Sequence, residues 1–138
     1  MTEDRIEIEA VTAAPPATAW AAYTDPDHVR RWNFASDDWH CPSARADLRP
    51  GGTFSSRMEA RDGSMGFDFE GTYTTVVENR RIDYDFGDRA AVVEFLPEGE
   101  GTRVRIRFDP ESDHPRDQQQ AGWQAILDNF ARHADSLR

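Results

Sequence analysis

The sequence contains no lysine: all 16 of its basic residues are arginine. Schiff-base chemistry through a side-chain amine, and a lysine-anchored pyridoxal cofactor, are therefore excluded. Cysteine is almost as scarce. Cys41 stands alone, so no intrachain disulfide and no thiolate metal cluster can form. The neighbours Asp37, Asp38 and His40 have no spaced second pair of ligands, and no metal is expected. Apolar runs are only a few residues long, which argues against a signal peptide and a spanning helix, and the expected location is cytoplasmic. A cationic surplus is missing as well. Against 26 acidic residues the 16 arginines leave a formal net charge of −10. Such a surface repels a phosphate backbone, so no nucleic-acid partner and no membrane insertion are expected. Nucleophile-elbow, Walker and dinucleotide-binding motifs are also lacking, so no cofactor is expected and no catalytic residue is assigned.

What the sequence does have is material for a core. Apolar residues make up 38% of the chain and aromatics 11%, with 4 Trp and 8 Phe among 138 residues. A chain of this size buries about 68% of its extended surface on folding, enough for a single domain spanning 1–138.

The patterning assigns the elements. Arg5 to Val11 alternates apolar and charged residues, the mark of a strand with one wet face. Pro15-Pro16 opens a short helix over Ala17 to Tyr23. Thr24-Asp25-Pro26 starts a second over Asp27 to Trp32, with Thr24 or Asp25 as the cap. Asn33 to Ala46 shows no period and reads as an irregular loop carrying Trp39, His40 and Cys41. In Pro50-Gly51-Gly52, proline suits the first central position of a turn and glycine accepts positive φ at the next.

Strands follow over Thr53–Arg61, Met65–Val77, Arg81–Phe86, Ala90–Leu96 and Thr102–Asp109, separated by tight-turn sequences such as Asp62-Gly63 and Gly87-Asp88. Arg103, Arg105 and Arg107 fall on the wet phase of the last strand, where Arg105 and Arg107 face Glu7 and Glu9 across the first. Glu59, Asp68 and Glu70 likewise fall on outward phases. The period then changes. Trp123, Ile126, Leu127 and Phe130 recur at three- and four-residue steps in a helix of about 22 residues and about 33 Å. Pro115 fits its first turn, with Asp113 as cap. The expected fold is α+β: a curved antiparallel sheet of about six or seven strands around a long C-terminal helix, with two short helices after the first strand.

This order of elements resembles the helix-grip fold of the START-like (SRPBCC) superfamily. Within it, the chain resembles the family of activator of heat-shock-protein-90 ATPase homologues. The pieces that carry the resemblance are Ile6-Glu7-Ile8-Glu9, Pro15-Pro16-Ala17-Thr18-Ala19-Trp20, Thr24-Asp25-Pro26 with Arg31-Trp32, Asp47-Leu48-Arg49-Pro50-Gly51-Gly52, Gly71-Thr72-Tyr73 and Gly122-Trp123. Asn33 follows Trp32 where the family often has a second aromatic. The resemblance implies a deep cavity between sheet and helix that holds an apolar ligand; relatives include ligand carriers, cyclases and chaperone co-factors.

A cavity is accordingly expected between the long helix and the strands, lined by Phe54, Met58, Phe67, Phe69, Tyr84, Trp123 and Phe130. Its mouth is expected near Trp32 and Trp39, beneath a lid formed by the irregular segment. Tyr84 and His40 are the polar groups expected to orient a ligand. The function this favours is binding of a small hydrophobic ligand, lipid-like, aromatic or polyketide-like. One alternative is a cyclase or hydrolase using His40 or Tyr84 in the same cavity. Another is a co-regulator of a chaperone ATPase with a protein partner, although eukaryotic activators carry an additional N-terminal domain for which 138 residues leave no room.

Overall fold

The computed structural model describes residues 5–137. Seven strands, β1 (Ile6–Thr12), β2 (Trp39–Ala46), β3 (Thr53–Ala60), β4 (Gly66–Val77), β5 (Arg81–Phe86), β6 (Arg89–Glu98) and β7 (Gly101–Phe108), form one antiparallel sheet in the order β1-β7-β6-β5-β4-β3-β2. Helices α1 (Pro16–Thr24) and α2 (Pro26–Val29) connect β1 to β2, and α3 (Arg116–Asp135) closes the chain. This is a helix-grip fold: a curled half-barrel whose concave face holds the long helix.

Side-chain alternation accounts for the two faces of the sheet. Ile6 and Ile8 of β1 and Val104, Ile106 and Phe108 of β7 are buried, while the residues between them reach solvent. The β1–β7 register sets Glu7 against Arg107 and Glu9 against Arg105. The ion pairs run partly on the diagonal. Glu9 accepts from Arg103 at 2.7 Å and Arg105 at 2.9 Å, and Arg107 turns to Glu94 of β6 at 3.0 Å. Each such pair adds about 0.2–1 kcal/mol, which helps fix register on a face that packing leaves free.

The Pro-Gly-Gly turn forms as its residues dictate. Gly51 has φ of +86°, and the Gly52 amide donates to the Arg49 carbonyl at 2.8 Å. Gly51 and Gly52 also exchange backbone hydrogen bonds with Tyr73, pinning β4 where its pairing with β5 is interrupted between Tyr73 and Thr75. Gly71 is needed for a different reason: a Cβ there would lie 2.6 Å from the ring of Phe54, its partner across the β3–β4 ladder.

Helix α3 packs as its spacing requires. Leu127 and Phe130 are fully buried, and the Trp123 ring stacks on Phe108 with centroids 3.8 Å apart and planes at 8°. Its far end is tied to β1, where Asp135 accepts from the Thr12 hydroxyl at 2.7 Å and the Ala13 amide at 2.8 Å. Asp25 caps α2 by accepting from the Asp27 amide at 2.9 Å. Among the described residues, no helix is long and apolar enough to cross a membrane.

Three sequence expectations need correction. The segment 33–46 is not one irregular loop, because 39–46 is the edge strand β2. Its period is hidden by a register shift between His40 and Ser43 and by Pro42, which an edge strand tolerates. The second helix ends at Val29 rather than running to Trp32. Asp113 does not cap α3. The Gln119 side chain reaches back from within the helix instead, donating to the carbonyls of Glu111 at 3.0 Å and His114 at 2.8 Å and accepting from the Glu111 amide at 2.9 Å.

Where α2 meets the end of α3, His28 Nδ1 lies 2.9 Å from His133 Nε2. Partial burial, His28 and Arg31, in that order, hold the His133 imidazole below its ordinary value of 6.5. A base with a depressed folded pKa favours the native state while it stays neutral, above 6.5, and that contribution is lost as pH falls through the folded value. The melting temperature is therefore expected to fall between pH 7.5 and pH 5 more steeply in the wild type than in His133→Gln. Parallel curves for the two proteins would contradict this.

Candidate functional site

Between α3 and the concave face lies a cavity of about 290 Å³. The sheet supplies its floor: Phe54, Ser56 and Met58 from β3, Phe67, Phe69 and Tyr73 from β4, and Ile82 and Tyr84 from β5. These residues share the inward phase of three consecutive strands, as the registers Phe54↔Gly71, Ser56↔Phe69, Met58↔Phe67 and Tyr73↔Tyr84 require. Helix α3 supplies the roof through Trp123, Ile126 and Leu127, and α1, α2 and the segment after α2 add Tyr23, Val29 and Trp32 in turn. Phe67, at 49% exposure, marks where the cavity reaches the surface.

Aromatic rings are stacked around this space rather than through it. Phe54 meets Tyr84 edge-on at 5.0 Å, and Phe69 meets Trp123 edge-on at 6.2 Å. Such contacts fix ring orientation and hold the wall in shape. Three phenols enter the cavity. The hydroxyls of Tyr23, Tyr73 and Tyr84 make no hydrogen bond within the protein among the described residues, and the three groups lie within electrostatic reach of one another. Burial raises all three pKa values, that of Tyr73 to about 12 with the Asp47 carboxylate adding to the effect. At neutral pH all three therefore remain protonated donors.

Seven residues singled out in the sequence line the cavity: Trp32, Phe54, Met58, Phe67, Phe69, Tyr84 and Trp123. Trp32 is a wall rather than a mouth. It is 4% exposed, its indole N–H donates to the Ala22 carbonyl at 2.9 Å, and its ring packs on Tyr23 and Phe130. The other three lie elsewhere. Phe130 is fully buried behind that wall. Trp39 rests against Phe67 with centroids 6.0 Å apart, beside the opening rather than in the lining.

His40 pairs in register with Glu59 and approaches its carboxylate at 3.8 Å. That position is in the outward phase shared with Arg57, so His40 cannot orient a molecule held on the concave side. Sequence reading missed Tyr23 and Arg89 as members of the lining, and Tyr73 and Ser56, although on the inward phase of their strands, were not named among the site residues. For Tyr73 and Ser56 the signal was present, since both share the phase of Phe69 and Met58 in their strands.

The matches to known proteins agree with this architecture. The family model described as "Activator of Hsp90 ATPase homolog 1-like protein" matches residues 13–135. The solution structure of the AHSA1-like protein from Aeromonas hydrophila is 46% identical, with a TM-score of 0.90 over 96% of this chain and 93% of that one. Chr148 from Cytophaga hutchinsonii is 41% identical, with a TM-score of 0.82 over 97% and 94%. Protein NE0264 from Nitrosomonas europaea, at 21% identity and a TM-score of 0.84 over 100% and 98%, shares the fold. A comparison with curated proteins gives no match.

Proposed function

This chain belongs to the activator of Hsp90 ATPase homologue 1-like family of the START-like superfamily, and from that premise we propose that it binds a small hydrophobic molecule, lipid-like or aromatic, between α3 and the sheet. The observation that carries the reading is the cavity of about 290 Å³ whose wall is built from Phe, Met, Ile, Leu and Trp side chains, with a few polar groups left unpaired. That is the composition of a ligand site: an apolar body with a small number of orienting groups.

Two further observations support binding over the alternatives. Among the described residues the lining contains no Asp, Glu, His or Cys, and its phenols are too weakly acidic to act as bases at neutral pH, so a cyclase or hydrolase would lack a general base from these residues. Of the exposed large apolar residues among those described, Met65 and Phe67 adjoin at the start of β4, where the cavity opens, while Val11, Val77 and Leu137 belong to β1, the other end of β4 and the end of α3; a docking face for a partner gathers such residues into one large patch.

Burying a ligand surface of about 200 Å² supplies about 5 kcal/mol at about 25 cal/mol per Å². Association costs reduce this, so apolar burial alone supports a dissociation constant of about 0.2 mM at best, and micromolar binding needs the polar groups of the wall to contribute. The test is a fluorescence titration with the neutral dye N-phenyl-1-naphthylamine. A saturable one-to-one isotherm, with a melting temperature that rises with dye concentration, is the expected result. A linear signal with no thermal shift would overturn the reading.

A further inference from the structure

Among the described residues, the inward positions of the seven strands carry one charged side chain, Arg89. The β5–β6 register sets it opposite Phe86 and in phase with Ala91 and Val93, both buried. The arginines of β7 and the acids of β1, β3, β4 and β5 all take the outward phase. No described acidic residue of this strongly acidic chain thus lines the cavity, whose charged members among the described residues are two arginines: Arg45 of the edge strand β2, on the outward phase, and Arg89 on the inward phase.

Arg89 is held there without being neutralised. Its guanidinium carbon lies 4.4 Å from the centroid of the Phe86 ring, and Nη1 donates to the Asp109 carbonyl at 3.3 Å. No carboxylate comes within ion-pair distance of it among the described residues. Glu111, an acid that feels its charge, lies in the shallow hollow on its other side and is engaged by His114 at 2.5 Å, and the Asp109 carboxylate is engaged by Arg5 and the Ala90 amide, each at 2.9 Å. Tyr84 is the diagonal neighbour of Arg89 across the β5–β6 ladder and is 5% exposed. The positive charge of Arg89 acts on the Tyr84 phenol.

A half-buried cation beside unpaired phenolic donors is a site that lacks only an acceptor. We propose that the ligand is an amphipathic monoanion whose carboxylate is held by the Arg89 guanidinium and the Tyr84 hydroxyl, with its apolar body against β3, β4 and α3. The assignment rests on the binding function proposed above and gives it a ligand class. A guanidinium presents paired donors that match a carboxylate. A ligand without an acceptor would leave those buried donors unpaired, which penalises it beyond the loss of one attraction. At interior packing density the cavity holds a body of about a dozen carbon atoms.

The experiment is isothermal titration calorimetry of the full chain with dodecanoate and with dodecan-1-ol, both kept below their aggregation thresholds. Dodecanoate is expected to bind one-to-one, at least about tenfold more tightly than the alcohol, a difference of the size of one charge-assisted hydrogen bond. Arg89→Gln and Tyr84→Phe should each weaken dodecanoate by about tenfold and leave dodecan-1-ol within about twofold. The melting temperature of each variant monitors the fold.

Equal affinity for acid and alcohol, or variants that weaken the two equally, would overturn the assignment. So would failure of dodecanoate to bind. If N-phenyl-1-naphthylamine still binds in that case, the hydrophobic-binding function stands and only the ligand class fails; if the dye fails too, both fall.

Discussion

Ser56→Trp should abolish ligand binding while leaving the fold intact. Ser56 lies in the middle of β3, is 5% exposed, faces the cavity between Phe54 and Met58, and makes no hydrogen bond through its side chain among the described residues. An indole at this position would occupy much of the roughly 290 Å³. Overpacking a filled core usually costs about 1–3 kcal/mol, but here the added rings enter empty space, so the melting temperature should change little or rise. The affinity for N-phenyl-1-naphthylamine should fall by about 100-fold or more, which is about 2.7 kcal/mol. A variant that folds and binds the dye as the wild type does would place the dye elsewhere on the molecule.

The second large effect is on stability. Phe130→Ala should destabilise the protein by about 3–5 kcal/mol, the range for removing a fully buried phenylalanine from a packed site. Phe130 has no exposed surface, and its ring packs edge-on against Tyr23 at 5.3 Å and Trp32 at 5.2 Å. It thus joins α3 to the segments that wall the cavity. Against a total stability of about 5–15 kcal/mol such a loss is severe, and the melting temperature should drop by about 10–20 °C. Chemical denaturation gives the free energy directly. A loss under about 1.5 kcal/mol would mean that the site collapses around the alanine, and that Phe130 is less central to the core than its burial implies.

Comparing these two residues shows what the sequence can and cannot disclose. Phe130 lies on the three-and-four stripe of α3, and its burial follows from the period alone. That it sits behind Trp32, and not in the cavity, depends on where α1 and α2 fold back, which no local pattern records. Most of the sheet was legible for the same reason as the stripe: Ile6 to Val11 and Thr102 to Phe108 alternate without interruption, and the turns between strands carry glycine or asparagine at positive φ.

The exception was β2, where a bulge and Pro42 erase the alternation. That error propagated. With 39–46 read as a lid, His40 became a candidate for orienting a ligand, whereas the pairing of His40 with Glu59 puts it on the convex face. Facing is decided by single-residue register, and a shift of one position reverses it. Arg89 was missed at a boundary of the same kind. Starting β6 at Ala90 leaves the arginine in the turn; starting it at Arg89, as the pairing with Phe86 does, makes it the charged member of an inward series with Ala91, Val93 and Phe95. Tyr23 offered no signal of its own, because α1 is rich in alanine and its orientation is fixed only by Trp32, Phe95 and Phe130 packing around it.

Binding within the cavity is tested most directly by an amide chemical-shift titration of the ¹⁵N-labelled protein with N-phenyl-1-naphthylamine. Saturating shifts are expected at the inward residues of β3, β4 and β5 (Ser56, Phe69 and Tyr84 among them) and at Ile126 and Leu127 of α3, fitting one dissociation constant, while Glu7 and Arg105 on the convex face stay in place. Shifts confined to convex or loop residues, or no saturable shift at any dye concentration below its solubility limit, would contradict it.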